Sequence, residues 1–346
     1  MTLHPSNAAR GRGVLTHALR YAGVLFVSRC LILLALWGIT GGHELSNDTA
    51  MHMGMVRHPL SVLLDTNPAY QQNPPLLPFL ETIAGYPLQL LLPDFLTLRL
   101  VMIGYEAVLG FLFYLLLLDL GLDTRRRHLC LAAYLLLPMG WMTSTVMAQD
   151  EAIAAAALLV PLVLFNRGRE TAAILACGIG IIAAKLFIGL ELLTLIAISD
   201  RQRRLRYAII GFAPLALVYG AMTVHRLLHG LPLPMLGFRP DPTYGANFWM
   251  LLRTYAGVDL RAAGPYSGVL ALAASLIPAA ILLHRQRQTP AVTPSALPVV
   301  IAVNASLLIF FSLFYHVNPE YFIMTMPLLL ATARDLTDAA ACVLVA

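Results

Sequence analysis

The sequence predicts an all-α, polytopic membrane bundle of about ten spans, folded as one integral membrane domain over 1–346. Three observations predict it. The chain is 59% hydrophobic and only 12% charged, with mean hydropathy +0.75, whereas soluble domains carry about 25% charge. Its apolar runs are long and continuous, such as Leu98 to Leu118. A spanning helix needs roughly 20 apolar residues; a spanning barrel would show short alternating segments instead. The arginines sit in short clusters between these runs, as cytoplasmic loops do under the positive-inside rule. That placement sets aside nucleic acid as a partner despite the net charge of +5.

The spans are expected near 21–40, 98–119, 129–146, 151–166, 171–184, 186–199, 206–224, 266–284, 296–315 and 320–333. Arg10, Arg12 and Arg20 precede the first, in the manner of a signal peptide. The apolar stretch from Tyr21 to Ile39 is long for an h-region and lacks a small-residue cleavage site, so a retained helix is expected. The fifth and sixth spans are short and break near Lys185, which reads as a tight pair meeting at the far surface. Segment 76–92 is apolar enough to span, yet it holds Pro78, Glu81, Gly85 and Pro87. Treating it as a juxtamembrane or re-entrant helix puts Arg125 to Arg127, Arg167, Arg169, Arg201 to Arg206, Arg285 and Arg287 on one side. That parity places the N-terminus, Arg126 and Arg203 in the cytoplasm of a bacterial inner membrane, and Asn73 and Asp241 outside. The outer face then carries a first loop of about 41–97, a turn at 147–151, a later loop of about 225–264 and a turn at 315–321. The inner loops are short and basic, so function is expected on the outer face. The four cysteines, Cys30, Cys130, Cys177 and Cys342, are scattered and suggest neither a zinc site nor a disulfide framework.

The outer segments carry the chemistry. The first loop reads Ser46-Asn47-Asp48-Thr49-Ala50-Met51-His52 and then Tyr70-Gln71-Gln72-Asn73-Pro74-Pro75-Leu76. The next turn is Ala148-Gln149-Asp150-Glu151; Ala183-Ala184-Lys185-Leu186-Phe187 and His316-Val317-Asn318-Pro319-Glu320-Tyr321 follow. In order and placement these segments resemble the membrane-embedded glycosyltransferases of the GT-C superfamily. The nearest likeness is to the polyprenyl-phosphate-mannose-dependent branch. The Ala148 turn is similar to that family's Gly-Gln-x-Asp turn, with alanine for glycine. The Lys185 segment is similar to its Lys-Pro turn, with leucine for proline. Where that branch often shows Asp-x-Asp in the first loop, this chain has Asp48 alone, with Asp65 far away. The resemblance implies a GT-C-like bundle with interfacial helices in the first outer loop, a polyprenyl-phosphate-linked sugar donor, and inversion at the anomeric carbon.

The residues support such chemistry independently. Glycosyl transfer from a phosphate needs a carboxylate to accept the hydroxyl proton and cations or donors on the developing phosphate charge. Asp48 is the base candidate, against a plain role as a solvated loop residue, and Asp65 is second, against loop capping. Asp150 and Glu151 open a helix, where N-terminal capping would suffice; with Gln149 they are candidates to hold an acceptor or a cation. Lys185, the only lysine among 23 basic residues, is either a phosphate ligand or a snorkelling side chain. His316, Glu320 and Tyr321 share the last outer turn and are candidates for the carrier phosphate. Arg253 lies in an aromatic-anchored amphipathic stretch and is a weaker one. Arg29 and Arg99 read as structural or lipid-facing. Glu106 and Glu191 need partners that the sequence does not supply. No cofactor and no metal site are indicated.

The expected function is therefore a membrane hexosyltransferase moving a mannose-like sugar from a polyprenyl-phosphate carrier to an unknown glycan, lipid or protein acceptor. The rival readings are a transporter or flippase for a lipid-linked glycan and a noncatalytic scaffold of the same fold. A transporter is expected to hold charged residues deep in several broken spans; here the polar residues gather at helix ends.

Overall fold

The computed structural model describes residues 5–44, 48–60, 74–231, 248–257, 264–288, 296–314 and 319–333. Among these there are fifteen α-helices, a π-turn and a 3-10 turn, and no strand. In chain order the helices are α1 (Pro5–Thr40), α2 (Asp48–Arg57), α3 (Leu77–Gln89), α4 (Asp94–Asp119), α5 (Thr124–Leu136), α6 (Pro138–Trp141), α7 (Glu151–Asn166), α8 (Glu170–Ala183), α9 (Ile188–Ile198), α10 (Arg204–Leu228), α11 (Phe248–Ala256), α12 (Gly264–Ser275), α13 (Ile277–Gln288), α14 (Ala296–Leu313) and α15 (Met326–Thr332). The π-turn is Met142–Val146 and the 3-10 turn is Pro319–Met324.

This is a membrane-embedded helical protein. Among the described residues five stretches are long and apolar enough to cross a bilayer: 13–40, α4, α10, the paired α12–α13 and α14. The stretch from α5 through the π-turn adds a sixth when its two halves, bent by 48°, are taken as one span. The expected count of ten is not reached on length. Helices α7, α8 and α9 are apolar but shorter, at 16, 14 and 11 residues. The span expected at 320–333 divides into the 3-10 turn and the seven-residue α15. The segment around Pro78 and Pro87 forms α3, 13 residues long. At about 1.5 Å per residue that is about 20 Å, too short for a hydrocarbon core of about 30 Å.

Helix α4 is the central post. It packs against α1 on one side and α7 on the other; α7 packs on α8, and α8 on α10. The α8–α10 contact is close because Gly178 and Gly211 face each other: a Cβ at Gly178 would collide with the Gly211 carbonyl. Small residues let helices approach where lipid offers no hydrophobic drive for association.

A buried ion pair fixes α1 to α4. Arg29 Nη2 donates to Glu106 Oε1 at 2.8 Å, and Arg29 Nη1 donates to the Leu135 carbonyl at 2.9 Å. Ser144 in the π-turn donates its hydroxyl to Glu106 Oε2. Gly140 leaves room for this cluster, since a Cβ there would sit 3.1 Å from Glu106 Oε1. Arg29 and Glu106 are at most 1% exposed, so Arg29 is not lipid-facing. Arg99 is likewise buried. It stacks 3.7 Å above the Phe95 ring, pairs with Glu44 at 3.1 Å and donates to the Val146 carbonyl at the end of the π-turn. Glu191, fully buried on α9, has no hydrogen-bond partner at either oxygen among the described residues.

The helix lengths create a recess. Arg167, just after α7, pairs with Asp119 at the end of α4 at 2.9 Å, so these two ends are level. From there α4 runs 26 residues and α7 only 16. At about 1.5 Å per residue, α7 stops roughly 15 Å short of the other end of α4. Helices α2 and α3 fill part of that space. They pack on each other and on α4. The Tyr105 hydroxyl, well inside α4, donates to the Leu80 carbonyl at 2.7 Å. The opposite face of α3 exposes Ile83 and Tyr86, and Leu90 just past the helix continues them as an i, i+3, i+7 apolar stripe suited to lipid.

Candidate functional site

The recess floor is the turn that opens α7. The π-turn ends at Val146, and the chain reverses through Met147 and Ala148. Ala148 adopts φ 55°, the one non-glycine positive φ among the described residues, and is 1% exposed. Such a backbone costs an L-residue roughly 1–2 kcal/mol. The turn is closed by the Gln149 amide donating to the Thr143 carbonyl at 3.0 Å. Gln149 is buried beside it.

Asp150 occupies the N-cap position of α7 but makes no side-chain capping bond. Its carboxylate turns to Lys185 instead, accepting from Nζ at 2.9 Å, and Glu151 lies 3.5 Å from the same ammonium. Lys185 comes from the α8–α9 turn, where α8 is held near α3 by the Leu76 amide donating to the Ile182 carbonyl at 2.8 Å. The lysine side chain is 14% exposed. It is an ion-paired, nearly buried cation, and the snorkelling alternative does not describe it. The Tyr321 ring from the 3-10 turn stands 5.3 Å from Nζ. Phe187 and Phe311 pack with Tyr321 into an aromatic wall, with ring centroids 5.1 to 6.0 Å apart.

Above this triad lies a second charged pair, between α2 and α3. His52 Nδ1 and Glu81 Oε1 are 2.6 Å apart, with side chains 3% and 0% exposed. Burial lowers the imidazole, but the adjacent carboxylate outweighs it and His52 is pushed up to about 9. Burial also raises Glu81. Both directions have one consequence: the pair retains a proton through the neutral range. The charges of Asp150 and Lys185 act on both members, so the two pairs form one electrostatic unit. Glu81 Oε2, Asp150 Oδ2 and Thr49 Oγ1 are buried with no hydrogen-bond partner among the described residues. Unmet buried acceptors are costly, on the order of 1–3 kcal/mol each, and such atoms mark a place where polar ligand groups or water belong.

The structure therefore brings together Gln149, Asp150, Glu151, Lys185 and Tyr321. Asp48 opens α2, one turn before His52; its side chain lies outside the described set, as does that of Glu320. Asp65, Asn73, Asp241 and His316 also lie outside the described residues. Arg253 sits on α11, a helix that packs against α14. No interaction among the described residues ties it to the Lys185 unit.

His52 and Glu81 were not among the residues the sequence singled out. One signal was available: a glutamate between two prolines in an otherwise apolar helix must find a buried partner. The identity of that partner, 29 positions away, carries no local signature. Among the described residues no three His, Cys, Asp or Glu side chains converge as metal ligands. The chain matches no protein-family model, no characterised protein and no solved structure.

Proposed function

We propose that this protein is a membrane glycosyltransferase that moves a hexose, mannose or a close relative, from a polyprenyl-phosphate carrier to an acceptor at the outer face. One observation carries the reading: Lys185, Asp150, Glu151, His52 and Glu81 gather in a recess below one end of the bundle, where α2 begins with Asp48. The arginine-rich loops fall at the opposite end, which the positive-inside rule assigns to the cytoplasm.

An amphiphilic donor fits such a place. Its sugar and phosphate need polar partners; its isoprene chain needs an apolar path. The wall of Phe187, Phe311 and Tyr321 beside Lys185 supplies apolar surface directly next to the charge. An ammonium carries three donors. Asp150 and Glu151 orient Lys185, and the remaining donor direction is available to a phosphate oxygen. In the reaction the acceptor oxygen attacks the anomeric carbon while its proton passes to Asp48. The bond from that carbon to the phosphate oxygen breaks, and polyprenyl phosphate leaves with the electron pair. Inversion follows from attack opposite the leaving group. The unpartnered oxygens of Glu81 and Asp150 are suited to accept from sugar hydroxyls. A transporter reading fits less well because the charges deep in the bundle, Arg29 and Glu106, are closed on each other and on Ser144, while the Lys185 unit sits at one end.

The test is transfer from a panel of radiolabelled polyprenyl-phosphate hexoses by the purified protein in detergent. Asp48→Asn keeps size and removes the base. It should lower turnover about 10²–10⁴-fold, the usual contribution of a positioned acid–base group, with donor binding nearly unchanged. Asp65→Asn should remain near wild type. A large loss in Asp65→Asn with normal Asp48→Asn moves the base to Asp65. Absence of transfer from every donor, with movement of a lipid-linked sugar across proteoliposomes, overturns the enzyme reading in favour of transport.

A further inference from the structure

The upper end of α10 carries a feature that the Lys185 recess does not use. His225 and His229 are spaced i, i+4 in the last turn of the helix, which puts both side chains on one face. Their ring centroids are 4.3 Å apart with planes at 35°. His225 is half-buried and His229 exposed. His229 Nδ1 lies 2.8 Å from the His225 carbonyl oxygen. A carbonyl can only accept, so Nδ1 carries the hydrogen and Nε2 is left with its lone pair in the neutral ring. This is the arrangement by which metal-binding histidines are oriented: one nitrogen donates to a carbonyl or carboxylate, and the other binds. A helical His-x-x-x-His pair is a known two-point ligand for a divalent ion, and the C-terminal end of a helix favours positive charge.

The geometry points to a divalent transition-metal site formed by His225 and His229 at the end of α10. Two imidazoles supply two ligands. Among the described residues no third His, Cys, Asp or Glu completes a set, and a two-imidazole site leaves the other positions of the ion to water. That favours Cu²⁺ and Ni²⁺, which accept imidazole with open tetragonal or octahedral positions, over a closed tetrahedral zinc site. The order of affinity is Cu²⁺ above Ni²⁺ above the earlier ions of the series. The site is independent of the proposed glycosyl transfer and stands or falls separately.

The test uses the full chain in detergent, purified without a polyhistidine tag. Ni²⁺ is titrated by calorimetry, and Cu²⁺ is followed by electron paramagnetic resonance. The expected result is one equivalent of Ni²⁺ lost in the double variant, and a Cu²⁺ spectrum with coupling to two imidazole nitrogens. His225→Ala and His229→Gln should each weaken binding by at least about tenfold, the scale of losses at metal sites when a supporting group is removed. Both positions are at least partly exposed, so folding should be retained, and circular dichroism checks it. Equal Ni²⁺ binding in the wild type and the double variant overturns the proposal, because the ion is then held by the other eight of the ten histidines. A Cu²⁺ signal from a single nitrogen, or one lost with only one of the two substitutions, overturns it as well.

Discussion

Removing the Lys185 charge should destabilise the fold and not merely the site. The ammonium lies 2.9 Å from Asp150 and 3.5 Å from Glu151, whose side chains are 4% and 2% exposed. Lys185→Met keeps most of the volume and deletes the charge. Two carboxylates are then left buried side by side without the ammonium that lies between them. Breaking a buried pair by removing one partner costs about 3–5 kcal/mol, because the remaining charge is uncompensated. Asp150→Asn is milder: Lys185 keeps Glu151, and the loss approximates one charged hydrogen bond, about 1.5–3 kcal/mol. The double variant Lys185→Met/Asp150→Asn removes one charge of each sign, so its cost should fall well below the sum of the two. Coupled neighbours show interaction energies of about 0.5–3 kcal/mol, and this contact belongs near the top of that range. The assay is equilibrium unfolding of the four proteins in mixed micelles, with unfolding free energies compared in a double-mutant cycle. Additivity within about 0.5 kcal/mol would refute the reasoning, since the lysine and aspartate would then not interact. A Lys185→Met protein as stable as wild type would refute it too.

Three further outcomes follow from the geometry. Ala148→Val should destabilise the protein by more than the roughly 1–2 kcal/mol that alanine already bears at φ 55°, because β-branching crowds the left-handed region; Ala148→Gly should be neutral or stabilising, and thermal shift in detergent checks the order. His52, raised to about 9 beside Glu81, contributes stability that is complete below the ordinary histidine range and is lost as pH rises through about 9; the thermal midpoint should therefore fall across that window in the wild type, and His52→Gln should flatten the fall. Arg29→Met or Glu106→Gln alone should cost about 3–5 kcal/mol, whereas Arg29→Met with Glu106→Leu should recover much of it, because an apolar pair avoids the desolvation penalty; the same micelle unfolding experiment reads the recovery.

How much of this was legible beforehand depended on whether the signal was local. The run from Glu151 to Asn166 has the same limits as helix and as sequence pattern, because an apolar stretch between an acidic pair and an Asn-Arg-Gly turn defines both of its own ends. The break at Lys185 was equally visible. The prolines of segment 76–92 argued against a span, and α3 is too short for one. Of the ten expected spans, five or six reach spanning length among the described residues, since hydropathy records how apolar a run is and not where its hydrogen-bond ladder breaks. Thr325 divides the last run in that way, and the π-turn after Trp141 bends another.

By itself the sequence determined that the chain is a helical membrane protein and that Asp150, Glu151 and Lys185 stand at helix ends. Composition, run length and turn residues act within a few positions of chain, and they suffice for that. Only the tertiary structure decided who meets whom. Arg29 finds Glu106 from 77 positions away, His52 finds Glu81 from 29, and Lys185 finds Asp150 from 35. Each pair is chosen because a buried charge must be compensated, and the compensating group is the one that packing brings within reach. It was also the inequality of α4 and α7, level at Asp119 and Arg167 but unequal in length, that sank the charged turn below the bundle end. No local pattern encodes which two helices stand side by side or which of their ends are level.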